Sequence, residues 1–384
     1  MTRTEKIANA QKSCATSVET PIGVGTPLCY LLLLAEMADT PVSPTVKIVT
    51  GTSNVALARS VASTLNLELT PAAVGKFADG ETSVHVEESV RGADVFVIQP
   101  ICPPNVNDAL QELILLLSAM RSSAKRITAI VPYYAYARQD RKNKPRVPIS
   151  AAAVARQILS AEPDRLLLID LHCGQIQGFF GNTPVDHLSG QGILAKHVDG
   201  LISTTESGSK FIDNHEVVIV SPDAGGMTRA RRFADALAVK DVATILKRRV
   251  EANAIESMQL VGTVENSTCI VVDDMIDTAG TLVRAAQLLI DNGAHTVYAV
   301  ATHGLFSGEA IKCINNSMLD MVFVTDTIDQ TRITSSCNRV MCLSIAPLLA
   351  QGITAIHNEQ SVSAIPFGFE NAKLQSPSTS PHHF

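Results

Sequence analysis

Residues 269–286 read CIVVDDMIDTAGTLVRAA, an apolar run from Cys269 to Val272 that meets two adjacent acids, Asp273 and Asp274, and then a third, Asp277, inside a turn of small residues. The run reads as a buried strand, and the residues after Gly280 read as a helix. Like charges side by side at a strand tip cost free energy unless a cation or a multiply hydroxylated ligand compensates them. In an open parallel sheet, ligands sit outside the carboxyl ends of the strands, where loops lead into helix N-termini. The turn Asp277, Thr278, Ala279, Gly280, Thr281 obeys that geometry. Its free N–H groups and threonine hydroxyls suit a phosphate monoester, and the acids can hold the hydroxyls of an attached sugar. An Asp or Thr before a helix is an ordinary cap, which accounts for one acid but not for a pair plus a third.

Outward from this stretch, the chain alternates apolar strands with amphipathic helices. The pattern predicts strands at 46–50, 94–98, 127–131 and 166–170, with helices near 53–66, 107–121 and 150–160. A second series follows, with strands near 217–220, 242–246, 269–273, 296–301 and 321–324 and helices at 226–238, 280–292 and 307–316. This is a doubly wound α/β signature in two tandem halves. The polar stretch DGLISTTESGSKFIDNHE at 199–216 reads as a long exposed connection, and LQSPSTSPHHF at the C-terminus as a disordered tail. The expected organisation is an extension at 1–45, one half at 46–190, a second at 191–366 and a tail at 367–384. Residues 1–45 read either as a flexible extension or as a targeting segment, so the expected location is the cytoplasm, with an organelle address through this extension as the alternative.

The 384 residues are 46 % hydrophobic and 18 % charged, with no Trp, which excludes disorder of the whole chain. The net charge of −6 argues against a nucleic-acid protein that binds through a global basic field. None of the apolar runs is long enough to span a bilayer, so no membrane partner is expected. The eight Cys residues contain no CxxC pair and read as free thiols in a reducing compartment.

The acid pair and its following turn look like the ribose-phosphate motif of type I phosphoribosyltransferase-fold proteins. Four further segments narrow the resemblance: KFADGETSVHVEESVRG at 76–92, PYYAYARQDRKNKPRVPIS at 132–150, DLHCGQIQGFF at 170–180 and VSPDAGGMTRA at 220–230. Together they resemble the ribose-phosphate pyrophosphokinase (phosphoribosyl pyrophosphate synthetase) family over roughly residues 46–366. The resemblance implies two tandem type I phosphoribosyltransferase-like α/β domains, each a mostly parallel sheet flanked by helices. It also implies transfer of the β,γ-diphosphoryl group of ATP to the anomeric hydroxyl of ribose 5-phosphate, giving phosphoribosyl pyrophosphate and AMP, with Mg²⁺ as cofactor. Such a transfer depends on positioning and charge neutralisation.

By the same resemblance, Phe77, Asp79 and Glu81 receive the adenine, and Arg138, Gln139, Asp140 and His172 contact ATP. Asp223, Asp273, Asp274, Asp277, Thr278, Ala279, Gly280 and Thr281 hold ribose 5-phosphate. Asp170, His172, Asp223 and Asp186 are the expected metal contacts, and Lys247, Arg249 and His172 the catalytic residues. Ser89, Arg91, Ser123, Arg146, Ser361 and Ser363 match an anion site for phosphate or ADP, shared between subunits of a homo-oligomer in which dimers assemble to a hexamer. The chain departs from the familiar pattern at Arg248, at Gly181 to Thr183, and at Gly174, His187 and Ser189. Two rival readings are a non-catalytic subunit that keeps the fold and a base-specific phosphoribosyltransferase. The retained Lys247, Arg249 and His172 oppose the first. The second α/β half and the ARQD loop oppose the second.

Overall fold

The computed structural model describes residues 46–202, 216–248 and 257–365, so residues 1–45, the centre of the expected connection and the tail lie outside the described residues. The first part of the chain forms β1 (Val46–Thr50), α1 (Val55–Thr64), β2 (Ala72–Lys76), β3 (Thr82–Val86), β4 (Asp94–Ile98), α2 (Val106–Arg121), β5 (Arg126–Val131), α3 (Ser150–Leu159), β6 (Arg165–Ile169) and β7 (Val185–Leu188). The second forms α4 (Gln191–Ile202), β8 (Glu216–Ser221), α5 (Met227–Ala236), β9 (Val242–Arg248), β10 (Ser257–Val261), β11 (Ser267–Ile276) and α6 (Gly280–Asp291). It continues through β12 (Thr296–Gly304), α7 (Ala310–Asn315), β13 (Met321–Thr325), α8 (Thr331–Thr334), β14 (Val340–Leu343) and α9 (Ala346–His357). The expected strands and helices are all present, and the fold is α/β with two mainly parallel sheets flanked by helices. None of the described helices is long and apolar enough to cross a membrane.

The two sheets are wound differently, and the difference positions the site. The first runs β1-β4-β5-β6-β7, every pair parallel, so the chain always steps in one direction. The second runs β10-β9-β8-β11-β12-β13-β14. From β8 the chain steps outward to β9 and β10, then returns to place β11 on the other side of β8. That reversal opens a crevice at the carboxyl ends of β8 and β11, where an open α/β sheet binds its ligand. Asp223 follows β8, and Asp273 and Asp274 lie near the end of β11.

Unidirectional winding stacks α2 and α3 on one face of the first sheet, where Leu113, Leu116, Leu117 and Ile158 pack with Val95, Val97 and Ile127. The opposite face carries α1 and would otherwise stay largely bare. Helix α9 covers it: Leu349, Ile353 and Ile356 join Ile48, Leu57, Phe96, Ile98 and Leu167 in one core. A chain-order division at 190/191 therefore does not describe the last helix, which belongs by packing to the first sheet. A Cβ on Gly352 would stand 3.1 Å from methyl groups of Leu167 and Leu188, a tight contact that shows how closely α9 lies on the first sheet. At the far end, buried Asp94 pairs with Arg126 and accepts from His357 Nδ1 at 2.8 Å, while Arg126 Nη2 donates to the Ile356 carbonyl at 3.0 Å. Helix α4 goes the other way, burying Leu194, Ala195 and Val198 against Ile219, Ile270 and Phe323 of the second sheet.

Candidate active site

Strand β11 delivers Asp273 and Asp274 to the crevice, and the turn Asp277–Thr281 enters α6 with Ala279 at φ +60°, so the amides at the start of α6 face the loop. A cleft of 230 Å³ is lined by Asp273, Asp277, Thr278, Ala279, Gly280 and Thr281, together with Pro222 and Arg138. The loop after β8 is tight: Asp223 Oδ1 accepts from the Gly226 amide at 2.9 Å, and a Cβ on Gly226 would stand 2.7 Å from Ser221 Oγ. Pro222, beside Asp223, and Asp273 of the acid pair thus line one crevice.

The two adjacent acids differ. The Asp273 side chain is 35 % exposed and that of Asp274 only 3 %. Asp274 Oδ2 is bonded to His172 Nδ1 at 2.8 Å, and its Oδ1 lies 3.3 Å from Arg229 Nη1, which is also 3.4 Å from Asp273 Oδ1. Burial opposes ionisation of Asp274, but the His172 hydrogen bond and the Arg229 charge outweigh it and hold the carboxyl below its ordinary range. Burial and then the charge of Asp274 push Asp273 up, against the pull of Arg229. His172 is raised by its bond to Asp274, against burial.

Arg229 was not singled out in the sequence, although the quoted segment 220–230 contains it. It sits in the first turn of α5, which carries no acid. A cation there opposes the helix dipole, and that local conflict is the signal that could have found it.

The loop after β5 brings Arg138, the first residue of the triplet expected to contact ATP, to the same crevice from the first sheet. Arg138 Nη1 donates to Asp277 Oδ2 at 2.6 Å. Burial opposes ionisation of Asp277, but hydrogen bonds from Ser307 and Arg138 and the Arg138 charge hold it low. Gln139 Oε1 accepts from Ser150, and Asp140 accepts from the Cys173 thiol at 3.0 Å. A second cleft, of 630 Å³, is lined by Tyr133, Tyr136, Arg138, Gln139, Asn105 and Asp108, and shares Arg138, Asp277 and Thr278 with the first.

The expected adenine contacts sit elsewhere in the chain. Phe77, Asp79 and Glu81 form the tip of the β2–β3 hairpin. The Phe77 amide donates to the Glu81 carbonyl at 2.8 Å, and the Phe77 residue is 59 % exposed. The hairpin is tied to α2 through Lys76 and Asp108 at 2.6 Å, and no residue of 77–81 lines either cleft.

The expected metal contacts are not assembled as a cage: among the described residues no three His, Cys, Asp or Glu side chains converge to hold an ion. Asp170, at φ +35°, accepts from Ser189 Oγ at 2.7 Å, from the Gly190 amide at 2.8 Å and from Thr302 Oγ1 at 2.5 Å. It binds the β7–α4 turn and β12 together beneath the site. Asp186 lies opposite Leu167 in the sheet, well back from the carboxyl edge, and pairs with Arg165 at 2.7 Å. Both carboxylates therefore hold protein groups in place.

Asp186 lines a third cleft of 810 Å³, with Arg165, His187, Arg232, Ser361 and Ser363. Ser361 and Ser363 bond to each other at 2.7 Å. Ser89, Arg91 and Ser123 gather elsewhere: the Arg91 amide lies 3.4 Å from Ser89 Oγ, and the Gly92 amide donates to the Ser123 carbonyl. Arg146 stands at φ +62° in the exposed loop before α3. None of these last four residues lines the third cleft of this chain. Lys247 is near the end of β9, paired in register with Met258, and Arg249 lies outside the described residues. The six described cysteines are free thiols, and Cys14 and Cys29 lie outside the described residues.

Comparison with known proteins agrees with this architecture. The family model for the N-terminal domain of ribose phosphate pyrophosphokinase matches residues 46–161, and that of the phosphoribosyl synthetase-associated domain matches residues 248–366. The ribose-phosphate pyrophosphokinase of Clostridium perfringens is 48 % identical over 324 residues, which is 84 % of this chain and 98 % of that protein. Ribose-phosphate pyrophosphokinase A of Dictyostelium discoideum is 45 % identical over 321 residues, 83 % and 97 % of the two chains. The crystal structure of phosphoribosylpyrophosphate synthetase from Mycobacterium smegmatis superposes with a TM-score of 0.74 at 39 % identity, covering 82 % of this chain and 99 % of that one. With this identity sustained over nearly the whole length of such relatives, the chain belongs to the ribose-phosphate pyrophosphokinase family.

Proposed function

We propose that this chain is a ribose-phosphate diphosphokinase (EC 2.7.6.1) that makes 5-phosphoribosyl 1-pyrophosphate and AMP from ATP and ribose 5-phosphate, supplying nucleotide biosynthesis. The observation that carries the reading is the Arg138–Asp277 bond, which sets a cleft of nucleotide size beside one of sugar-phosphate size. In the reaction, the anomeric oxygen forms a bond to the β-phosphorus and the bond from that phosphorus to the α-bridging oxygen breaks, releasing AMP. The amides opening α6, with Thr278 and Thr281, take the 5-phosphate, while Asp273 accepts from ribose hydroxyls. Arg138 and His172 face the polyphosphate, and Lys247 and Arg249 bring further positive charge to the group in transfer.

The residues fit magnesium. The ion keeps several waters and leans on substrate phosphates, so it needs only one or two protein contacts. With Asp170 and Asp186 committed elsewhere, His172 through Nε2 and Asp223 would hold it, directly or through water. When bound, it neutralises phosphate charge. Purified protein given Mg-ATP and ribose 5-phosphate should yield equal amounts of AMP and phosphoribosyl pyrophosphate with no added base. Production of ADP alone, or a strict need for a purine or pyrimidine, counts against the reading.

A bare Phe at a hairpin tip is costly to leave in water, and the Phe77 tip fits an adenine held in the cleft of a neighbouring copy, within a homo-oligomer of dimers assembling to a hexamer. Phe77→Ala should raise KM for ATP about tenfold. Mixing Phe77→Ala with an Arg138→Ala chain should restore part of the activity through hybrid sites. No recovery on subunit exchange would mean that each site is built by one chain.

The third cleft, with Arg165, Arg232 and the two serines, has the charge and hydroxyls for phosphate or ADP, with Ser89, Arg91, Ser123 and Arg146 contributed by a neighbouring copy. Inorganic phosphate should activate, and ADP should inhibit in a manner that ATP does not fully relieve. Arg91→Ala should weaken both responses together, because two ligands of one site are linked. A flat phosphate profile, with ADP inhibition fully relieved by ATP, would leave the active site as the only nucleotide site.

A further inference from the structure

The paired acids of the crevice occupy two different environments. Asp274 is almost entirely buried, and its Oδ2 meets His172 Nδ1 at 2.8 Å. An ionised carboxylate only accepts, so Nδ1 carries the hydrogen and the ring presents Nε2 to the crevice. His172 lies just beyond β6 of the first sheet and Asp274 near the end of β11 in the second, so this bond also crosses between the two halves of the site. Arg229 holds the other oxygen of Asp274 at 3.3 Å. A carboxylate so enclosed has no face left for a sugar hydroxyl, whereas Asp273 keeps a third of its side-chain surface open and lines the smaller cleft.

From this geometry we infer that Asp274 is a positioning residue for His172, fixing the tautomer and heading of the imidazole, and that ribose recognition falls to Asp273. The inference rests on the proposed diphosphokinase reading for what His172 does, and on geometry alone for the division between the two acids. An acid that acts through His172 affects turnover more than ribose 5-phosphate binding, and its loss overlaps with the loss of the histidine.

The test is a double-mutant cycle on the full chain with His172→Gln, Asp274→Asn and the pair, read beside Asp273→Asn. Each single variant of the cycle should lower kcat about 10- to 30-fold while KM for ribose 5-phosphate stays within about threefold, and the double variant should match the worse single within about threefold. Calorimetric titration with ribose 5-phosphate alone should give Asp274→Asn a Kd within about threefold of the wild type. Asp273→Asn should weaken it at least about tenfold. Multiplied losses in the double variant, or a Kd weakened tenfold in Asp274→Asn with kcat retained, overturn the inference. Asp274→Ser carries the same readings if the Asn variant fails to fold. A wild-type protein that makes no phosphoribosyl pyrophosphate defeats the diphosphokinase reading instead, and the ribose 5-phosphate titration still separates the two acids.

Discussion

Arg229→Ala should lower kcat/KM for the synthesis of phosphoribosyl pyrophosphate by about 10²- to 10³-fold, the scale of removing one preorganised charge from a phosphoryl-transfer site. Arg229 Nη1 lies within 3.4 Å of both Asp273 and Asp274. Without it, the buried Asp274 keeps the His172 hydrogen bond but loses its arginine charge, and both carboxyls drift upward. The variant should also be less stable at neutral pH, by about 1–3 kcal/mol, since a buried acid loses a charged partner. Asp274 is depressed in the folded state, so its contribution is fully present above the ordinary carboxyl range, near pH 4, and fades as pH falls through the depressed value. The difference in Tm between wild type and variant should therefore be widest at pH 6 to 8 and shrink on acidification toward pH 3. A difference that stays constant with pH would mean that Arg229 contributes packing rather than charge. Retained turnover would remove it from the site.

Most of the sheet scaffold was legible because its strands are continuous apolar runs and its helices have one apolar face, as in Arg126–Val131 and Gly280–Asp291. The elements that escaped have weaker signals. Ala72–Lys76 and Thr82–Val86 are short and half-exposed, and Val185–Leu188 carries an Asp and a His within a four-residue edge strand. Helix α9 is apolar on several sides because it lies between α1 and the first sheet, a non-local arrangement that periodicity does not report. In the site, the turn at Asp277–Thr281 leading into a helix was readable from its residue types. The unequal standing of Asp273 and Asp274 was available in principle, since neighbouring residues of a strand point to opposite faces. Which of the two faces meets His172 and Arg229 depends on packing that brings β6, α5 and β11 together across 102 and 44 residues of chain. Asp170 and Asp186 show the same limit: their partners, Thr302 and Arg165, come from other strands and are visible only in the fold.

Asp273→Asn should move stability and function in opposite directions. The Asp273 carboxyl is pushed up to about 8, by burial first and then by the charge of Asp274. A carboxyl that binds its proton more tightly when folded than when unfolded makes stability fall as pH climbs from the unfolded value, about 4, toward the folded one. The amide removes that slope, so the ligand-free variant should match or exceed the wild type in Tm, with an advantage that grows between pH 5 and pH 8. The side chain keeps 35 % of its surface in water, which limits the gain to a degree or two on the order of what a weak surface charge effect produces. The same substitution removes the carboxyl that meets the ribose hydroxyls, at about 0.5–1.5 kcal/mol per hydrogen bond, so kcat/KM for ribose 5-phosphate should fall at least about tenfold. Melting curves of the free protein at several pH values, beside steady-state kinetics, read both effects. A variant that loses activity and also loses stability progressively as pH rises would show that the Asp273 charge is favourable in the free protein, so that the acid pair carries no strain for the substrate to relieve.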